Sequence, residues 1–204
     1  MEKLTREFYN RSSLIVAKEL LGTYLVNNIQ EMKFTGRIVE VEAYMGAEDK
    51  AAHSYNNRLT ERTKIMYGDA GYAYVYFIYG MHFCMNVVVE AKGKPQAVLI
   101  RALEPVSSMG DMAKRRYSKT LEELKRSELI GLTNGPGKLC KAMGISKDHN
   151  GEDLCGDRLY ISKGENQDTF NIVSTKRINI GYAEEAKDYL WRFYIENNPY
   201  ISKK

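Results

Sequence analysis

The stretch 71-GYAYVYFIYGMHFCMN-86 decides the fold, because it reads as two β-strands joined by a tight turn. Tyrosines recur at every second position from Tyr72 to Tyr76, and this period of two is typical of a strand. The strand is predicted to end at Tyr79-Gly80, and residues 82–90 (HFCMNVVVE) are predicted to return beside it. Tight turns favour Asn, Asp or Gly, which accept the required backbone angles at little cost. A tyrosine at the tip of this hairpin therefore needs an explanation.

The remaining segments group strands with helices in no regular βαβ alternation, which favours an α+β fold over a doubly wound sheet. A first helix is predicted at 14–21, after an N-cap at Ser12-Ser13 and before Gly22. A second is predicted across the charged segment 107–129, and a third is predicted to follow the start signal Asn134-Gly135-Pro136. A polar loop is predicted from 45 to 71. Further strands are predicted at 23–29, 32–44, 97–105 (stopped by Pro105), 158–162, 170–176 and 190–196.

Composition sets broad limits on the protein. The chain has 204 residues, 44% of them hydrophobic, so it can bury a core and fits one domain. It has no run of about 18 apolar residues, so we expect neither a membrane span nor export. Its three cysteines are far apart, which predicts neither a disulfide framework nor a CxxC motif. The net charge of +4 decides nothing, and the basic clusters at 114–116 and at Lys138 and Lys141 fit either a polyanion or a solvated surface.

The strand 36-GRIVEVEAY-44 carries the first candidates for chemistry. Alternation places one set of side chains on each face: Ile38, Glu40, Glu42 and Tyr44 on the first, and Arg37, Val39, Val41 and Ala43 on the second. The two glutamates could form a solvent-facing edge. Alternatively, one of them could lie in a pocket and act as a general base whose pKa is tuned by burial. The spacing alone leaves both interpretations open.

Two other segments hold candidate binding groups. His53 lies in the polar loop, but no Cys, HxxxH or HExxH partner near it would complete a zinc site, so no metal is expected. The glycine-rich 131-GLTNGPGK-138 departs from the nucleotide-binding GxxxxGK[ST] loop, because Leu132 replaces the first glycine and Leu139 follows the lysine. Free N–H groups at a helix start beside Lys138 suit a phosphate of any origin, and a plain capped helix explains the same residues.

The tyrosine at the hairpin tip belongs to a segment that is dense in tyrosines. Five of them fall at positions 67, 72, 74, 76 and 79. A core accounts for one strand face but not for Tyr79, which forfeits the ~1.5–3 kcal/mol that burial of a large apolar side chain contributes. A wedge inserted into a stack of bases would account for it, because enzymes that act on a duplex base must flip it out. Tyr44 and Tyr76 would then be stacking walls for the flipped base.

The motifs GRIVEVEAY, EDKAAHS, YVYFIYGMHFCMN, LIRALEP, NGPGKLCKAMGI and RINIGYA, in this order, closely resemble the alkyladenine (3-methyladenine) DNA glycosylase family of monofunctional, mammalian-type methylpurine glycosylases. The resemblance implies a single DNA glycosylase domain over residues 1–204. Its α+β fold would have a curved antiparallel β-sheet flanked by helices, with a protruding β-hairpin that enters the DNA minor groove. It further implies a monomer that acts on damaged double-stranded DNA without a cofactor, a metal or a membrane. We expect it in the cytoplasm, at the nucleoid of a bacterium, or in a eukaryotic nucleus.

The same resemblance implies roles for individual residues. Glu42 would activate the hydrolytic water with Arg101 nearby, while the role of Glu40 stays open. Tyr79 would intercalate into the DNA. The base-binding pocket would comprise Tyr44, His53, Tyr76, Asn86 and Ile180, and the DNA backbone would be contacted by Gly135, Gly137 and Lys138. Two positions, His82 and Tyr182, depart from the residues common in the family.

The implied reaction is the hydrolysis of the N-glycosidic bond of damaged purines, among them 3-methyladenine, 7-methylguanine, hypoxanthine and ethenoadenine, which leaves an abasic site. Two other functions fit some of the residues. A non-enzymatic binder of single-stranded nucleic acid would use the tyrosines and lysines but gives Glu40 and Glu42 no role. A carbohydrate glycosidase would use both glutamates, but neighbours on one face of one strand do not easily flank a sugar.

Overall fold

The computed structural model describes residues 2–164 and 169–203. Within these ranges it has five α-helices and eight β-strands, joined by loops and short 3-10 turns. The helices are α1 (Arg6–Tyr9), α2 (Ser13–Leu20), α3 (Met109–Tyr117), α4 (Arg126–Ile130) and α5 (Pro136–Met143). The strands are β1 (Tyr24–Ile29), β2 (Met32–Tyr44), β3 (Ala73–Ile78), β4 (His82–Val89), β5 (Gln96–Ser107), β6 (Leu159–Ser162), β7 (Ile172–Thr175) and β8 (Arg192–Ile195).

The strands form one curved antiparallel sheet, so the predicted α+β class is confirmed. The main path through the sheet is β3-β4-β5-β2-β1-β6, and β8 pairs with both β2 and β7. The predicted hairpin is β3 and β4, with Ile78 opposite His82 at its end. Helix α2 packs on β2, and α5 packs on β4 and β5. Among the described helices, none combines the length and apolarity that crossing a membrane would require.

The core lies between the sheet and the helices that cover it. Long apolar side chains from both layers are fully buried, including Leu20 of α2, Phe34 of β2, Leu103 of β5 and Leu139 of α5. Burial of such side chains contributes roughly 1.5–3 kcal/mol each, and this term fixes the register of the central strands. The expected free thiols are observed: Cys84 and Cys140 are buried and Cys155 is partly buried.

Three register shifts interrupt the pairing of β2 with β5, and the two beside Glu40 break the simple alternation expected for β2. Ile38 pairs with Leu103, Glu40 with Ala102 and Val41 with Ile100, so β2 and β5 each carry one extra residue beside Glu40. The extra residue on β5 is Arg101. Bulges of this kind re-aim side chains and are common next to active sites. Ile38, which was expected to share a face with the glutamates, packs in the main core with Val39 and Val41.

Several predicted boundaries were wrong. Pro105 does not stop β5, which continues to Ser107; the proline pairs with Gly36 beside a register shift, where a missing N–H is tolerated. The segment 107–129 is not one helix but α3 followed, after a break, by α4. The start signal before α5 is confirmed, because the helix begins at Pro136 with Gly135 as its N-cap, and the side-chain oxygen of Asn134 accepts a hydrogen bond from Lys138 Nζ at 2.8 Å.

Candidate active site

A cavity of about 280 Å³ opens between the β3–β4 hairpin, β5, the start of α5 and the segment 178–182. Most of the residues that sequence analysis assigned to a site line it together: Tyr44, His53, Tyr76, Tyr79, Asn86, Arg101, Gly137 and Ile180. The predicted residues Glu42, Gly135 and Lys138 are absent from this lining. Lining residues without an individual prediction include Met66, Tyr74, Cys84 and Leu99.

Glu42 lies directly behind the lining and is fully buried, which excludes the solvent-facing edge considered from spacing. Its Oε1 accepts a hydrogen bond from the backbone N–H of Ile178 at 2.7 Å and lies 3.3 Å from Arg101 Nη1. Its Oε2 accepts from the Tyr44 hydroxyl at 2.9 Å. Since a carboxylate oxygen has two lone pairs, Oε2 keeps one acceptor position beyond the tyrosine. This carboxylate is thus fixed on one side and open to a further donor on the other.

Glu40 is also fully buried, and its carboxylate binds donors from Arg101, from β8 and from the C-terminal segment. Its Oε1 accepts from Arg101 Nε at 3.2 Å, Arg192 Nε at 2.7 Å and Ser202 Oγ at 2.8 Å, while Oε2 accepts from Ser202 N. Glu40 therefore fixes Arg101 and ties the C-terminal segment to β2. The role left open by sequence analysis is one of positioning.

Arg101 joins the two glutamates to the cavity. It is 7% exposed, and it lines the cavity while it contacts both carboxylates. Burial alone would lower the pKa of its guanidinium, but Glu42 and then Glu40 raise that pKa above the ordinary value. The group is a permanent cation, so the carboxylate of Glu42 has a fixed positive neighbour.

Aromatic side chains form two walls of the cavity. Tyr44 lines it as part of one apolar cluster, with Ala51 and Ile180, and Tyr76 lines it as part of another, with Tyr74 and His53 packed against it at ring-centroid distances of 5.2 and 4.7 Å. Burial, followed by the charge of Glu42, raises the pKa of Tyr44 well above its usual value, so its hydroxyl stays protonated and donates to Glu42. Burial likewise raises the pKa of Tyr76. Both phenols are neutral stacking surfaces at physiological pH.

His53 contributes a neutral imidazole to the same wall. Burial, with the nearby charges of Arg62 and Arg58, lowers the pKa of His53 to about 4. Its Nδ1 lies 2.9 Å from the Tyr74 hydroxyl, and its Nε2 lies 3.5 Å from Arg62 Nη2. Because a guanidinium only donates, this contact assigns the proton to Nδ1 and leaves Nε2 as an acceptor.

Asn86 and Ile180 complete the predicted pocket set. Asn86 is 4% exposed, and its amide Nδ2 donates to the Tyr74 carbonyl at 3.2 Å. This bond orients the amide on the wall that carries Tyr74 and Tyr76. Ile180 is 5% exposed and belongs to a small apolar cluster with Ala51 against which Tyr44 packs. Ile180 therefore supports the opposite wall.

The hairpin tip projects Tyr79 from the rim of the cavity. Its backbone has a φ of +54°, its neighbour Gly80 has a φ of +66°, and Tyr79 is 72% exposed. The adjacent Met81 is 69% exposed. A bulky residue with positive φ is strained relative to Gly or Asn, at a cost on the order of 1 kcal/mol, and here no burial offsets that cost.

The start of α5 forms another part of the rim. Pro136 and Gly137 line the cavity, whereas Gly135 precedes the helix and Lys138 lies one residue farther along it. A Cβ added to Gly137 would lie 2.9 Å from the Cβ of His82, so α5 and β4 approach too closely there for a side chain. Within the described ranges, no group of three or more His, Cys, Asp and Glu side chains is arranged to hold a metal ion.

Sequence reasoning missed the groups that support the Tyr44 wall. Arg177 and Asp49 form a fully buried ion pair, and the guanidinium lies 4.7 Å from the centroid of the Tyr44 ring. Asp49 lies in EDKAAHS and Arg177 in RINIGYA, two of the motifs that carried the family resemblance. A charged residue inside each motif was the signal in the sequence that could have indicated this ion pair. Their 128-residue separation hides the pairing from any local pattern.

Comparison with known proteins places the chain among the DNA glycosylases, enzymes that hydrolyse the N-glycosidic bond between a base and its deoxyribose. The model of one family, methylpurine-DNA glycosylase, matches residues 7–199. The chain belongs to that family, and this membership implies damaged DNA as its substrate and a place in base excision repair.

Three bacterial relatives align over essentially their whole length, and each carries the name "Putative 3-methyladenine DNA glycosylase". The relative from Alkaliphilus oremlandii is 59% identical over 202 residues, which cover 99% of this chain and 100% of the relative. The relative from Clostridium novyi is 57% identical and that from Desulfitobacterium hafniense 56% identical, each over 204 residues and the full length of both chains.

Proposed function

We propose that this enzyme rotates a damaged purine out of duplex DNA into the cavity between Tyr44 and Tyr76 and hydrolyses its N-glycosidic bond with a water activated by Glu42. One observation carries the proposal. The Glu42 carboxylate is fully buried behind the cavity, with Arg101 fixed beside it and an acceptor position left on Oε2. The open position is where a water that attacks the sugar would donate its proton.

The reaction balances with this one carboxylate. As the bond between C1′ and the base lengthens, positive charge develops on the sugar, and the negative charge of Glu42 stabilises it. Water adds to C1′ and gives one proton to Glu42, while the bonding electrons leave with the base. A cationic base such as 7-methylguanine or 3-methyladenine departs neutral. A neutral base such as hypoxanthine or ethenoadenine leaves as an anion and takes a proton from solvent, while Glu42 returns its proton to solvent, and the product in each case is an abasic site.

Selection of the base is proposed to combine several modest contacts. The faces of Tyr44 and Tyr76 would stack on the flipped base and attract alkylated, cationic purines by cation–π interaction of about 0.5–2 kcal/mol each. A backbone amide near His53 would read the hydrogen-bonding groups of neutral lesions. The amide of Asn86, held by the Tyr74 carbonyl, would clash with the exocyclic amino group of normal guanine. Damaged pairs are also easier to unstack, which adds discrimination.

The rest of the rim is assigned to DNA. The β3–β4 hairpin is proposed to enter the minor groove, where Tyr79 fills the space of the flipped nucleotide. The peptide groups of Gly135 and Gly137 and the ammonium of Lys138 would contact the DNA backbone at the start of α5. We further propose that residues 1–204 act as a single glycosylase domain and as a monomer, and that action on genomic DNA brings the protein to the nucleoid.

The test uses a labelled duplex with one hypoxanthine, incubated with excess enzyme and then treated with alkali to break abasic sites. Strand cleavage at the lesion alone is the expected result, with an undamaged duplex and a single-stranded oligonucleotide of the same sequence as controls. Retention of the single strand without cleavage of the lesion duplex would instead identify a non-enzymatic nucleic-acid binder.

A further inference from the structure

Each tyrosine wall of the cavity has a guanidinium against its ring. Arg177 Cζ lies 4.7 Å from the Tyr44 centroid, and Arg62 Cζ lies 4.7 Å from the Tyr76 centroid. Neither arginine lines the cavity. They differ in burial, because Arg62 is exposed while the side chain of Arg177 is fully buried. Solvent screens the first charge but not the second, so Arg177 has the greater influence on its wall.

Arg177 is held rigidly in place. Its Nη1 donates to the Ala43 carbonyl at 3.0 Å and to Asp49 Oδ2 at 2.5 Å, and its Nη2 donates to Asp49 Oδ1 at 2.8 Å and to the Ala186 carbonyl at 3.2 Å. The guanidinium also lies 5.0 Å from the Trp191 ring. It is therefore fixed against two aromatic rings, one of which, Tyr44, lines the cavity while the guanidinium does not.

Asp49 balances this charge and has supports of its own. It is fully buried, and besides Arg177 it accepts hydrogen bonds from the backbone N–H groups of Met45 and Ala51 at 3.1 and 3.0 Å. Each member of the pair thus keeps partners if the other is neutralised: Arg177 keeps two carbonyls, and Asp49 keeps two N–H groups. A single neutralisation would leave one fixed charge behind Tyr44.

We propose that the Arg177–Asp49 pair determines how the base pocket discriminates between cationic and neutral bases, by keeping the region behind Tyr44 electrically neutral. The proposal rests on the proposed function of the cavity and concerns its substrate class. A base stacked on Tyr44 would meet the field of whatever charge lies behind the ring, since a ring only a few ångströms thick does not screen it. An unbalanced guanidinium would repel a cationic base, an unbalanced carboxylate would attract it, and a neutral base would be affected little by either.

The experiment measures single-turnover release of 7-methylguanine and of hypoxanthine from matched duplexes and compares the ratio of the two rates. In Asp49→Asn the ratio is expected to fall about tenfold below that of the unmodified protein, because a cation remains behind the wall. In Arg177→Gln it is expected to rise by a similar factor. In the double variant, where neither charge of the pair remains, it is expected to return to within about threefold of the original value.

Two controls separate a charge effect from structural damage. Asp153→Asn neutralises a partly exposed carboxylate paired with Arg6, away from the cavity lining, and is expected to leave the ratio unchanged. Thermal unfolding of each variant identifies a temperature at which it is folded, and the release rates are measured there. If only one of the two single variants folds, its ratio still tests the proposal, because the two variants are expected to shift the ratio in opposite directions. The proposal is overturned if the single variants slow the release of 7-methylguanine and of hypoxanthine by the same factor. It is also overturned if the ratio of the two rates changes more in the double variant than in either single variant. Failure of the unmodified protein to release either base would instead overturn the proposed function.

Discussion

Replacement of Glu42 by Gln tests the proposed chemistry most directly. Gln keeps the size of the side chain, and its carbonyl oxygen can still accept from Ile178 N and Arg101, the two donors now on Oε1. The substitution removes the charge and the ability to accept a proton, and it places an NH2 group opposite the Tyr44 hydroxyl, which then has to accept rather than donate. Because general base catalysis contributes about 10²–10⁴-fold, and charge stabilisation of the sugar adds to it, we expect release of hypoxanthine to slow at least 10³-fold, about 4 kcal/mol in the barrier.

Single-turnover release and DNA binding have to be measured side by side. Affinity for the hypoxanthine duplex, followed by fluorescence anisotropy, should stay within a few-fold of the unmodified protein, since Glu42 lies behind the lining and contributes no surface to DNA. The loss of unfolding free energy should be about 1–3 kcal/mol, because Arg101 keeps Glu40 as its counterion. Release within tenfold of the original rate would refute the assignment of Glu42 as the base.

Glu40→Gln is the matched control for this experiment. Glu40 lies on the same strand, is equally buried and contacts the same arginine. It also accepts from Arg192 and Ser202, so its neutralisation should cost more stability than the Glu42 substitution. Its effect on release should be the smaller of the two at a temperature where both variants are folded. The reverse order of rates would move the catalytic role to Glu40.

Three further predictions concern the rim and the walls of the cavity. Tyr79→Asn should weaken binding to lesion duplex at least tenfold and leave the unfolding free energy unchanged or raise it by up to about 1 kcal/mol, as anisotropy and urea unfolding would show. Burial lowers the pKa of His53 from 6.5 to about 4, so protonation favours the unfolded chain as the pH falls through this window. Between pH 7.5 and 4.5 the free energy of unfolding, measured with urea, should therefore fall by about 2–3 kcal/mol less in His53→Asn than in the unmodified protein. Gly137→Ala should cost about 1–3 kcal/mol by its clash with His82, whereas Gly135→Ala, with extended backbone and no atom nearer than 3.5 Å, should be nearly neutral in the same assay.

The strands were predictable because side-chain alternation and apolar content are local properties of the sequence. All eight strands overlap segments predicted from period-two patterns, including the β3–β4 hairpin. The errors occurred where tertiary contacts override a local rule. Pro105, for example, remains within β5 because a register shift tolerates it.

The support of the site was not predictable, because it depends on residues far apart in the chain. Glu40 binds Ser202 across 162 positions, and Asp49 binds Arg177 across 128. Alternation placed Glu40 and Glu42 together but gave no sign that Glu40 binds the C-terminal segment while Glu42 binds Tyr44 of the cavity lining. That difference separates a positioning carboxylate from a candidate base, and only the three-dimensional arrangement reveals it.

Tyr79 shows why a local violation of sequence rules is informative. The pattern of the hairpin predicted a turn at this residue, and turn chemistry predicted Gly, Asn or Asp there. The turn forms with a positive φ that disfavours tyrosine, and the ring remains exposed, so neither backbone preference nor burial favours this residue. A residue that costs the fold about 1 kcal/mol and contributes nothing to the core points to a role outside the fold, and its position at the rim of an aromatic cavity is the reason for the proposal that this role is contact with DNA.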